Sequence, residues 1–155
     1  HWDHIGTLDS FKKAKVWIQK EEFESVSKNP TKSEFASLLA AKKENRLKLV
    51  GGSLEITPGL ILHPGGAHTV GSQYVRVNTL DGWVIIGGDT GYVYRNIERH
   101  LPTGSNINNK MNLEVIKKMH HLAASPFYIL PGHDPKVLRY FPEVEKRIVK
   151  ITAFE

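Results

Sequence analysis

The sequence contains no cysteine, and this absence excludes several chemistries at once. Cysteine-ligated zinc fingers, iron–sulfur clusters and thiol nucleophiles all require a side chain that the protein does not have. Disulfide bonds cannot hold the fold either, so the protein is not a disulfide-stabilised mini-protein. The absence of cysteine does not by itself fix the cellular compartment.

The sequence also lacks a long apolar run. No stretch approaches the about 18 apolar residues that a membrane span needs. Asp3 and His4 interrupt the start of the chain, and no apolar core of a signal peptide is visible. We therefore expect a cytoplasmic protein without a membrane partner. Because residue 1 is His and not Met, we expect the natural N-terminus to lie upstream, where a signal peptide would also lie.

Composition and charge are those of one ordinary globular domain. The chain has 155 residues, of which 40% are hydrophobic and 24% charged, and we expect a single domain over residues 1–155. The 21 basic and 16 acidic residues give a net charge of +5. Lysines alternate with glutamates in segments 12–24 and 42–48, which is typical of solvated helix faces rather than of a phosphate-binding stripe. We therefore expect no nucleic-acid partner.

The hydrophobic pattern alternates between strand-like and helix-like segments. Short β-branched and aromatic runs predict strands at 14–18, 54–56, 60–62, 74–78, 83–86 and 127–130. The Asp-Gly pair at 81–82 predicts a tight hairpin turn. Helices are predicted from a capping box of Thr31 with Glu34 to about Asn45, from an Asn112 cap to about residue 123, and from Pro142 through Val149. Strands and helices in mixed order predict a layered α/β fold.

Histidine and aspartate occur in four short segments that open the chain or lie beside predicted strands. The segments are His1-Trp2-Asp3-His4, the glycine-rich loop 65–71 with His68, Gly87-Gly88-Asp89-Thr90-Gly91, and Pro131-Gly132-His133-Asp134. Glycine allows the sharp turns that point a ligand side chain back over a sheet edge. Each residue alone is more often an ordinary loop residue. Imidazoles and carboxylates from several strand ends together form a ligand set suited to zinc.

This spacing resembles that of the metallo-β-lactamase fold superfamily, and within it the N-acyl homoserine lactonase family. The superfamily carries H-x-H-x-D-H and then a single His, a single Asp and a single His, and the chain matches from the second His onward. The gaps of 64, 21 and 44 residues that separate His4, His68, Asp89 and His133 are similar to those of the lactonase branch. The stretches His68–Gln73, Gly88–Tyr92 and Ser125–Pro135 also resemble lactonase segments, and the likeness covers residues 1 to about 142.

The resemblance implies an αββα sandwich that is incomplete at the N-terminus. The first His of the motif would lie two positions before residue 1, and the strands that normally precede it are absent from the sequence. We therefore expect the C-terminal part of a longer metallo-hydrolase domain. Its stability would require the missing part or a second copy of the chain, which makes the N-terminal part or a homodimer partner the expected protein contact.

The resemblance also implies a cage for two Zn²⁺ ions, with other divalent metals left open and no further cofactor. The implied ligands are His1, Asp3, His4, His68, Asp89 and His133, with Asp89 bridging the two ions. A bridging hydroxide would attack the carbonyl of a small-molecule lactone or ester, in a quorum-quenching type of reaction. Tyr92 would hydrogen-bond to the developing oxyanion, and Asp3 would pass a proton to the leaving alkoxide.

The remaining histidines and tryptophans are interpreted without a catalytic role. His63, His100, His120 and His121 lie outside the motif, and we expect each to be at the surface or half-buried. His120 and His121 are adjacent on a predicted helix, so their side chains would point in different directions. Trp2 and Trp83 are expected in the core or in a pocket wall.

Other functions stay open at this point. Metal cages of this superfamily also serve thioesterases, β-lactamases, phosphodiesterases and sulfatases, although Tyr92 and the gaps of 21 and 44 favour the lactonase branch. A basic, metal-free module could bind nucleic acid or a protein partner, but the ligand pattern would then be coincidental. An N-terminal His could also chelate copper through its amine and ring, which would leave Asp89 and His133 unexplained.

Overall fold

The computed structural model describes residues 1–31 and 33–152, and these residues form two compact units. The first unit spans His1–Gly52 and the second begins at Ser53. Residue 32 and residues 153–155, which belong to the expected domain, lie outside the described residues. In the described part of the chain no helix is both long and apolar enough to cross a membrane.

The first unit pairs two parallel strands through a helical crossover. Its elements are α1 (Trp2–Ile5), β1 (Val16–Gln19), α2 (Lys20–Ser27), α3 (Ser33–Lys43) and β2 (Leu47–Val50). Because parallel strands cannot be joined by a tight turn, α2 and α3 supply the connection between β1 and β2. The predicted strand at 14–18 and helix at 31–45 are confirmed with shifted ends. The predictions missed α2 and β2, and they assigned no element to Trp2–Ile5, which form the short helix α1.

Two buried polar side chains form hydrogen bonds with the backbone near the ends of this strand pair. Gln19 donates from Nε2 to the Gly52 carbonyl at 3.0 Å and accepts from the Gly52 N–H at 3.1 Å. Arg46 is 8% exposed, bonds to Glu44 Oε2 at 2.7 Å, and donates to the carbonyls of Phe11 and Ala14. The backbone satisfies the buried Gln19 amide, whereas Glu44 and two backbone carbonyls bind Nε and Nη1 of Arg46 and leave its Nη2 without a partner among the described residues.

The second unit is built on a five-stranded sheet in the order β3-β4-β5-β6-β7. The strands are β3 (Leu54–Thr57), β4 (Leu60–Pro64), β5 (Gln73–Thr79), β6 (Gly82–Ile86) and β7 (Ile129–Leu130). All neighbours are antiparallel except β6 and β7, which are parallel. Thr79 pairs with Gly82 across a two-residue loop, and Gly82 has φ +97°, so the predicted hairpin turn is confirmed.

The core of the second unit lies between this sheet and two helices, α4 (Tyr94–Glu98) and α5 (Asn109–Leu122). Side chains from β5, β6, β7, α4 and α5 form one buried cluster, which comprises Tyr74, Ile85, Ile97, Ile116, Met119 and Ile129. In α5 the buried positions 112, 116 and 119 recur at intervals of four and three, which places them on one face of the helix.

Three predicted elements of the second unit are corrected by the structure. Asn112 does not cap α5, because the cap is Asn108, whose side chain accepts from the Met111 N–H. The strand predicted at 127–130 is reduced to β7, after a 3₁₀ turn over Pro126–Tyr128. The helix predicted from Pro142 is wrong. A short helix α6 (Val137–Tyr140) ends before it, and residues 143–149 form the hairpin β8 (Glu143–Glu145) and β9 (Ile148–Val149), because Arg147 at φ +62° reverses the chain.

The burial predicted for several aromatic side chains also changes. Trp2 is 48% exposed and is therefore not a core residue, whereas Trp83 is half-buried under the Arg76 guanidinium, 3.8 Å from the ring centroid. His63 is buried, contrary to the prediction, because it stacks on Tyr74 across β4 and β5. The prediction that the other three histidines are at the surface or half-buried is confirmed, since His100 and His121 are exposed and His120 is half-buried.

Candidate metal centre

Three loops of the second unit meet at one edge of its sheet. Strand β4 is antiparallel to β5, β5 is antiparallel to β6, and β6 is parallel to β7, so β4, β6 and β7 run in the same direction. Their carboxyl ends therefore lie at the same edge of the sheet. The loops that follow these three strands carry His68, Asp89 and His133, respectively. Strand direction thus brings together side chains that are 65 residues apart in the chain.

Asp89 is held in a tight turn directly after β6. Gly88, Asp89 and Thr90 form one 3₁₀ turn in which Gly88 has φ +52°, a conformation that favours glycine. The Gly87 N–H donates to the Leu130 carbonyl at 2.8 Å, which ties this turn to the end of β7. Asp89 is only 8% exposed. A buried carboxylate needs hydrogen-bonding or cationic partners, because transfer from water without them is costly.

His133 follows β7 and is placed by backbone pairing with the segment after Asp89. The His133 N–H donates to the Tyr92 carbonyl at 2.8 Å, and the Gly132 N–H donates to the Gly91 carbonyl at 3.1 Å. Asp134 adds a further hydrogen bond between the same two segments, because its Oδ2 accepts from the Tyr94 N–H at 3.0 Å.

The Tyr94 side chain stays protonated over a wide pH range. Its burial raises its pKa to about 12, and the negative charge of the neighbouring Asp134 contributes to this rise.

His68 is placed by a closed loop and by a hydrogen bond on its imidazole. The N–H groups of Gly65 and Gly66 both donate to the Ser72 carbonyl, which closes the loop between β4 and β5. His68 is 5% exposed, and its Nδ1 lies 2.5 Å from the Ser105 carbonyl oxygen. Because a carbonyl oxygen only accepts, Nδ1 carries the proton in this contact. The ring is therefore oriented with Nε2 directed to the other side.

The Asp89 carboxylate faces both imidazoles. Its Oδ2 lies 3.0 Å from His68 Nε2, and its Oδ1 lies 2.8 Å from His133 Nε2. Because His68 Nδ1 is bonded to the Ser105 carbonyl, Nε2 is the nitrogen that faces the Asp89 carboxylate. One donor atom of each of the three side chains is thus directed toward the others.

The donor set of the second unit fits a divalent metal ion. Two imidazole nitrogens and one carboxylate converge, and nitrogen and oxygen ligands of this kind suit zinc. A backbone carbonyl bonded to the second nitrogen of a ligating histidine is also typical of metal sites, because it fixes the tautomer and the ring orientation. His68 with the Ser105 carbonyl has this arrangement.

Tyr92 lies beside both candidate histidines. Its ring centroid is 5.5 Å from that of His68 and 5.0 Å from that of His133, in tilted and edge-on orientations. The side chain is half-buried, so it is neither a core aromatic nor a freely solvated one. The structure therefore brings Tyr92 together with His68, Asp89 and His133 at the sheet edge.

The other three predicted ligands belong to the first unit. Asp3 and His4 lie on α1 with Asp3 Oδ2 3.3 Å from His4 Nε2, and His1 directly precedes this helix. All three side chains are exposed, so they are accessible to a ligand.

Two polar groups close to the candidate ligands in the chain or in the fold were not predicted from the sequence. The Ser105 carbonyl and the Asn112 side chain were not predicted to take part, because a backbone carbonyl has no side-chain pattern and Asn112 resembles a helix cap. A buried asparagine inside an otherwise apolar helix face is the signal that could have indicated a role for Asn112.

The fold agrees with the family that the chain matches. The sequence profile described as "Metallo-beta-lactamase superfamily" matches residues 1–139. The chain belongs to the metallo-beta-lactamase superfamily and has its α/β fold.

Within the superfamily, the curated relatives that the chain matches are N-acyl homoserine lactonases. The chain is 26% identical over 148 residues to an N-acyl homoserine lactonase from Bacillus cereus, and 27% identical over 149 residues to one from a Bacillus species. Each alignment covers 92% of this chain and 57% of the relative. The chain therefore spans little more than half the length of these relatives.

Solved structures show the same fold. A variant of Bacillus thuringiensis AiiA with N-decanoyl-L-homoserine bound at its active site superimposes with a TM-score of 0.69 at 24% identity, covering 90% of this chain and 54% of the other. An N-acyl homoserine lactone hydrolase with N-hexanoyl-L-homoserine at its catalytic metal center matches with a TM-score of 0.69 at 23% identity, covering 90% and 54%. A probable metal-dependent hydrolase from Staphylococcus aureus matches with a TM-score of 0.63 at 16% identity, covering 80% and 46%.

Proposed function

We propose that this chain carries the metal site of a hydrolase that opens the ring of an N-acyl homoserine lactone or a similar small lactone. The observation that supports it best is the buried Asp89 carboxylate, which faces Nε2 of His68 at 3.0 Å and Nε2 of His133 at 2.8 Å. The lactonase relatives add support for the substrate class, at 26–27% identity.

The proposed metal ligands are the six residues of the motif. His1 and His68 would hold one Zn²⁺, Asp3, His4 and His133 would hold a second, and Asp89 would serve both. The support for His68, Asp89 and His133 is their convergence at the sheet edge of the second unit. The support for His1, Asp3 and His4 is the motif H-x-D-H, which this chain shares with the superfamily whose profile it matches.

When bound, the metal ions would lower the pKa of a water molecule toward about 7 and polarise the lactone carbonyl. The chain's own residues would do the rest. Tyr92 would donate its hydroxyl hydrogen to the carbonyl oxygen as negative charge develops there. Asp3 would hold a proton and pass it to the alkoxide oxygen that leaves when the ring opens. The Ser105 carbonyl would keep His68 in the tautomer with Nε2 available.

A second candidate function within the superfamily is the hydrolysis of a thioester, a β-lactam or a phosphodiester. Thioesters, β-lactams and phosphodiesters are hydrolysed at similar cages, and Tyr92 would also fit an oxyanion from a thioester. A panel with one substrate of each class, assayed with zinc-loaded protein, separates these readings. Turnover of the lactone alone or fastest supports the proposal. Faster turnover of a substrate from another class would show that this other class is the substrate of the enzyme.

Metal analysis tests the site itself, and Asp89→Asn is the informative variant. We expect about two zinc ions per chain in protein purified without chelator, and the loss of at least one in the variant, because an amide is a poor metal bridge. Asp9→Asn is the matched control, since Asp9 is an exposed aspartate outside the motif. Full occupancy in Asp89→Asn would rule out Asp89 as the shared ligand.

A further inference from the structure

Asn112 is a buried polar residue inside a helix that otherwise buries apolar side chains. It lies in α5 with 0% of its surface exposed, and Ile116 and Met119 share its face of the helix. A buried amide is costly unless its polar atoms are bonded. Capping does not account for the residue, because Asn108 caps this helix. The position therefore needs another explanation.

The side-chain amide of Asn112 joins two segments that are separate in the chain. Its Nδ2 donates to the Thr90 carbonyl at 2.8 Å, and its Oδ1 accepts from the Thr103 N–H at 3.0 Å. A carbonyl can only accept and an N–H can only donate, so these partners fix which way the amide points. Thr90 is 1% exposed and Thr103 is 3% exposed, so both bonds are shielded from water.

The bond to Thr90 reaches the turn that carries Asp89. Thr90 directly follows Asp89 in the same 3₁₀ turn, and its carbonyl is the atom that Asn112 holds. A shift of that carbonyl would move the adjacent Asp89 backbone and with it the carboxylate that faces His68 and His133. Nδ2 of Asn112 therefore restrains the position of a proposed shared ligand.

The bond to Thr103 reaches the loop that orients His68. Within this loop Thr103 Oγ1 and the Thr103 carbonyl are both bonded to the Asn106 side chain at 2.8 Å, which makes the loop compact. Between these two residues lies Ser105, whose carbonyl accepts from His68 Nδ1. Oδ1 of Asn112 therefore restrains the group that sets the tautomer and direction of the His68 ring.

We propose that Asn112 is a positioning residue for the metal centre: through one buried amide it holds both the Asp89 turn and the loop whose carbonyl orients His68. The inference rests on the proposed function, because it assigns a residue that acts on the same site. A residue with no contact to metal or substrate would then set metal affinity. Loss of such an outer partner typically weakens metal binding by about 10–100-fold.

Asn112→Leu is the variant that removes both bonds while filling a similar volume. In metal-free protein, ¹H–¹⁵N NMR of the imidazoles detects the proton that His68 Nδ1 donates to the Ser105 carbonyl, whether or not Nε2 also carries one, and His68→Gln assigns this tautomer signal. We expect a single hydrogen-bonded Nδ1–H signal in the wild type and its loss or averaging in Asn112→Leu. Competition with a chelating dye should show at least tenfold weaker Zn²⁺ binding in the variant.

Asn112→Asp separates the two bonds. A carboxylate oxygen still accepts from the Thr103 N–H but has no hydrogen for the Thr90 carbonyl. We expect this variant to keep the His68 tautomer signal and to lose Zn²⁺ affinity through the Asp89 turn. Loss of the tautomer signal in Asn112→Asp would contradict the assignment of the two bonds to two ligands.

Two controls on α5 measure what helix damage alone does. Asn108→Ala removes the cap bond to Met111, and Ile116→Val removes a buried methyl group from the same face. Both should lower the melting temperature yet leave the His68 tautomer and the Zn²⁺ affinity unchanged. The proposal is overturned if the controls weaken zinc binding in proportion to their loss of stability, or if Asn112→Leu leaves both readouts unchanged.

The metal-free measurement separates this proposal from the proposed function. If wild-type protein binds no metal, the proposed function fails, while the tautomer measurement still decides whether Asn112 orients His68. If wild-type protein binds zinc and Asn112→Leu binds it equally well with a fixed His68 tautomer, the proposed function stands and the role of Asn112 fails.

Discussion

Tyr92 is the residue whose chemistry depends most on its neighbours. Its ring lies 5.0–5.5 Å from the rings of His68 and His133, and it carries the one hydroxyl in the proposed mechanism that would act on substrate. A hydroxyl that hydrogen-bonds to a developing oxyanion stabilises the transition state more than the substrate. A substitution of Tyr92 therefore tests the proposed mechanism rather than the stability of the fold.

Replacement of Tyr92 by Phe should lower turnover of a lactone by about 10–100-fold with zinc content retained, because one oxyanion donor is lost and no metal ligand changes. Steady-state kinetics together with elemental analysis measures both quantities. Tyr140→Phe is the matched control, since Tyr140 is 42% exposed and lies outside the motif. Unchanged turnover in Tyr92→Phe would remove this residue from the mechanism.

The backbone of Gly132 lies so close to the backbone of Gly88 that a side chain at position 132 would not fit. A Cβ at this position would lie 2.7 Å from the Gly88 carbonyl oxygen and 2.8 Å from the Gly88 carbonyl carbon. Neither atom belongs to a flexible side chain, so the turns that carry Asp89 and His133 would have to separate. Glycine at 132 thus keeps two of the candidate ligands together.

For Gly132→Ala we expect a loss of about 1–3 kcal/mol of unfolding free energy, as for other overpacked sites, together with weaker zinc binding. Denaturant unfolding and dye competition measure these two effects. Gly51→Ala is the control, because nothing lies within 4 Å of its added Cβ and its φ is not positive. A stable Gly132→Ala variant with unchanged zinc affinity would contradict the close packing of the two turns.

At the scale of elements, the pair β4–β5 buries a titratable group. His63 is paired with Tyr74 across these strands, with ring centroids 5.1 Å apart, and its Nδ1 lies 3.0 Å from Ser53 Oγ. Burial lowers the pKa of His63 below its usual 6.5, and the positive charges of Lys118 and Arg76 lower it further. Burial also raises the pKa of Tyr74 to about 12, so this hydroxyl stays protonated.

This burial predicts an acid-sensitive stability. Below about pH 6.5 the unfolded chain binds a proton at residue 63 while the folded chain does not, so unfolding is favoured as the pH falls. The loss stops once the pH passes the lowered pKa of the folded state. His63→Phe keeps the stacked ring and should flatten this part of the stability curve, whereas exposed His121→Gln should not. Denaturant unfolding between pH 7.5 and 5 measures the slopes, and equal slopes for wild type and His63→Phe would contradict the prediction.

Element type was predictable where a local pattern dominated. The hairpin of β5 and β6 has alternating apolar residues and an Asp-Gly turn, and it forms as predicted. The helix predicted from Pro142 through Val149 is wrong because it relied on the tendency of proline to open helices, whereas Glu143 pairs with Val149 in a hairpin. The short strand β7 was overextended, because an apolar run by itself does not show which residues find a strand partner.

For the whole molecule, metal binding should appear as added stability. A ligand that binds only the folded state stabilises it by about 2.7 kcal/mol at 100 times its dissociation constant. For a chain of this size that corresponds to a rise in melting temperature of about 5–10 °C. Chelator-treated protein should therefore melt lower than the same protein with zinc restored, and Asp89→Asn should lose part of this difference. An identical melting temperature with and without zinc would argue against a metal site in the folded protein.

The class of protein and the candidate ligands were predictable from the amino-acid sequence through its resemblance to a known superfamily. The motif consists of histidines and aspartates at fixed separations beside glycines. It is defined by residue identity and spacing, and both can be read directly from the sequence. The contacts that hold the candidate ligands of the second unit in place are visible only in the folded chain. The common direction of β4, β6 and β7, the Ser105 carbonyl on His68 and the buried amide of Asn112 each depend on contacts between residues far apart in sequence. Such contacts arise only when burial and hydrogen bonding are satisfied together, so no local pattern reveals them.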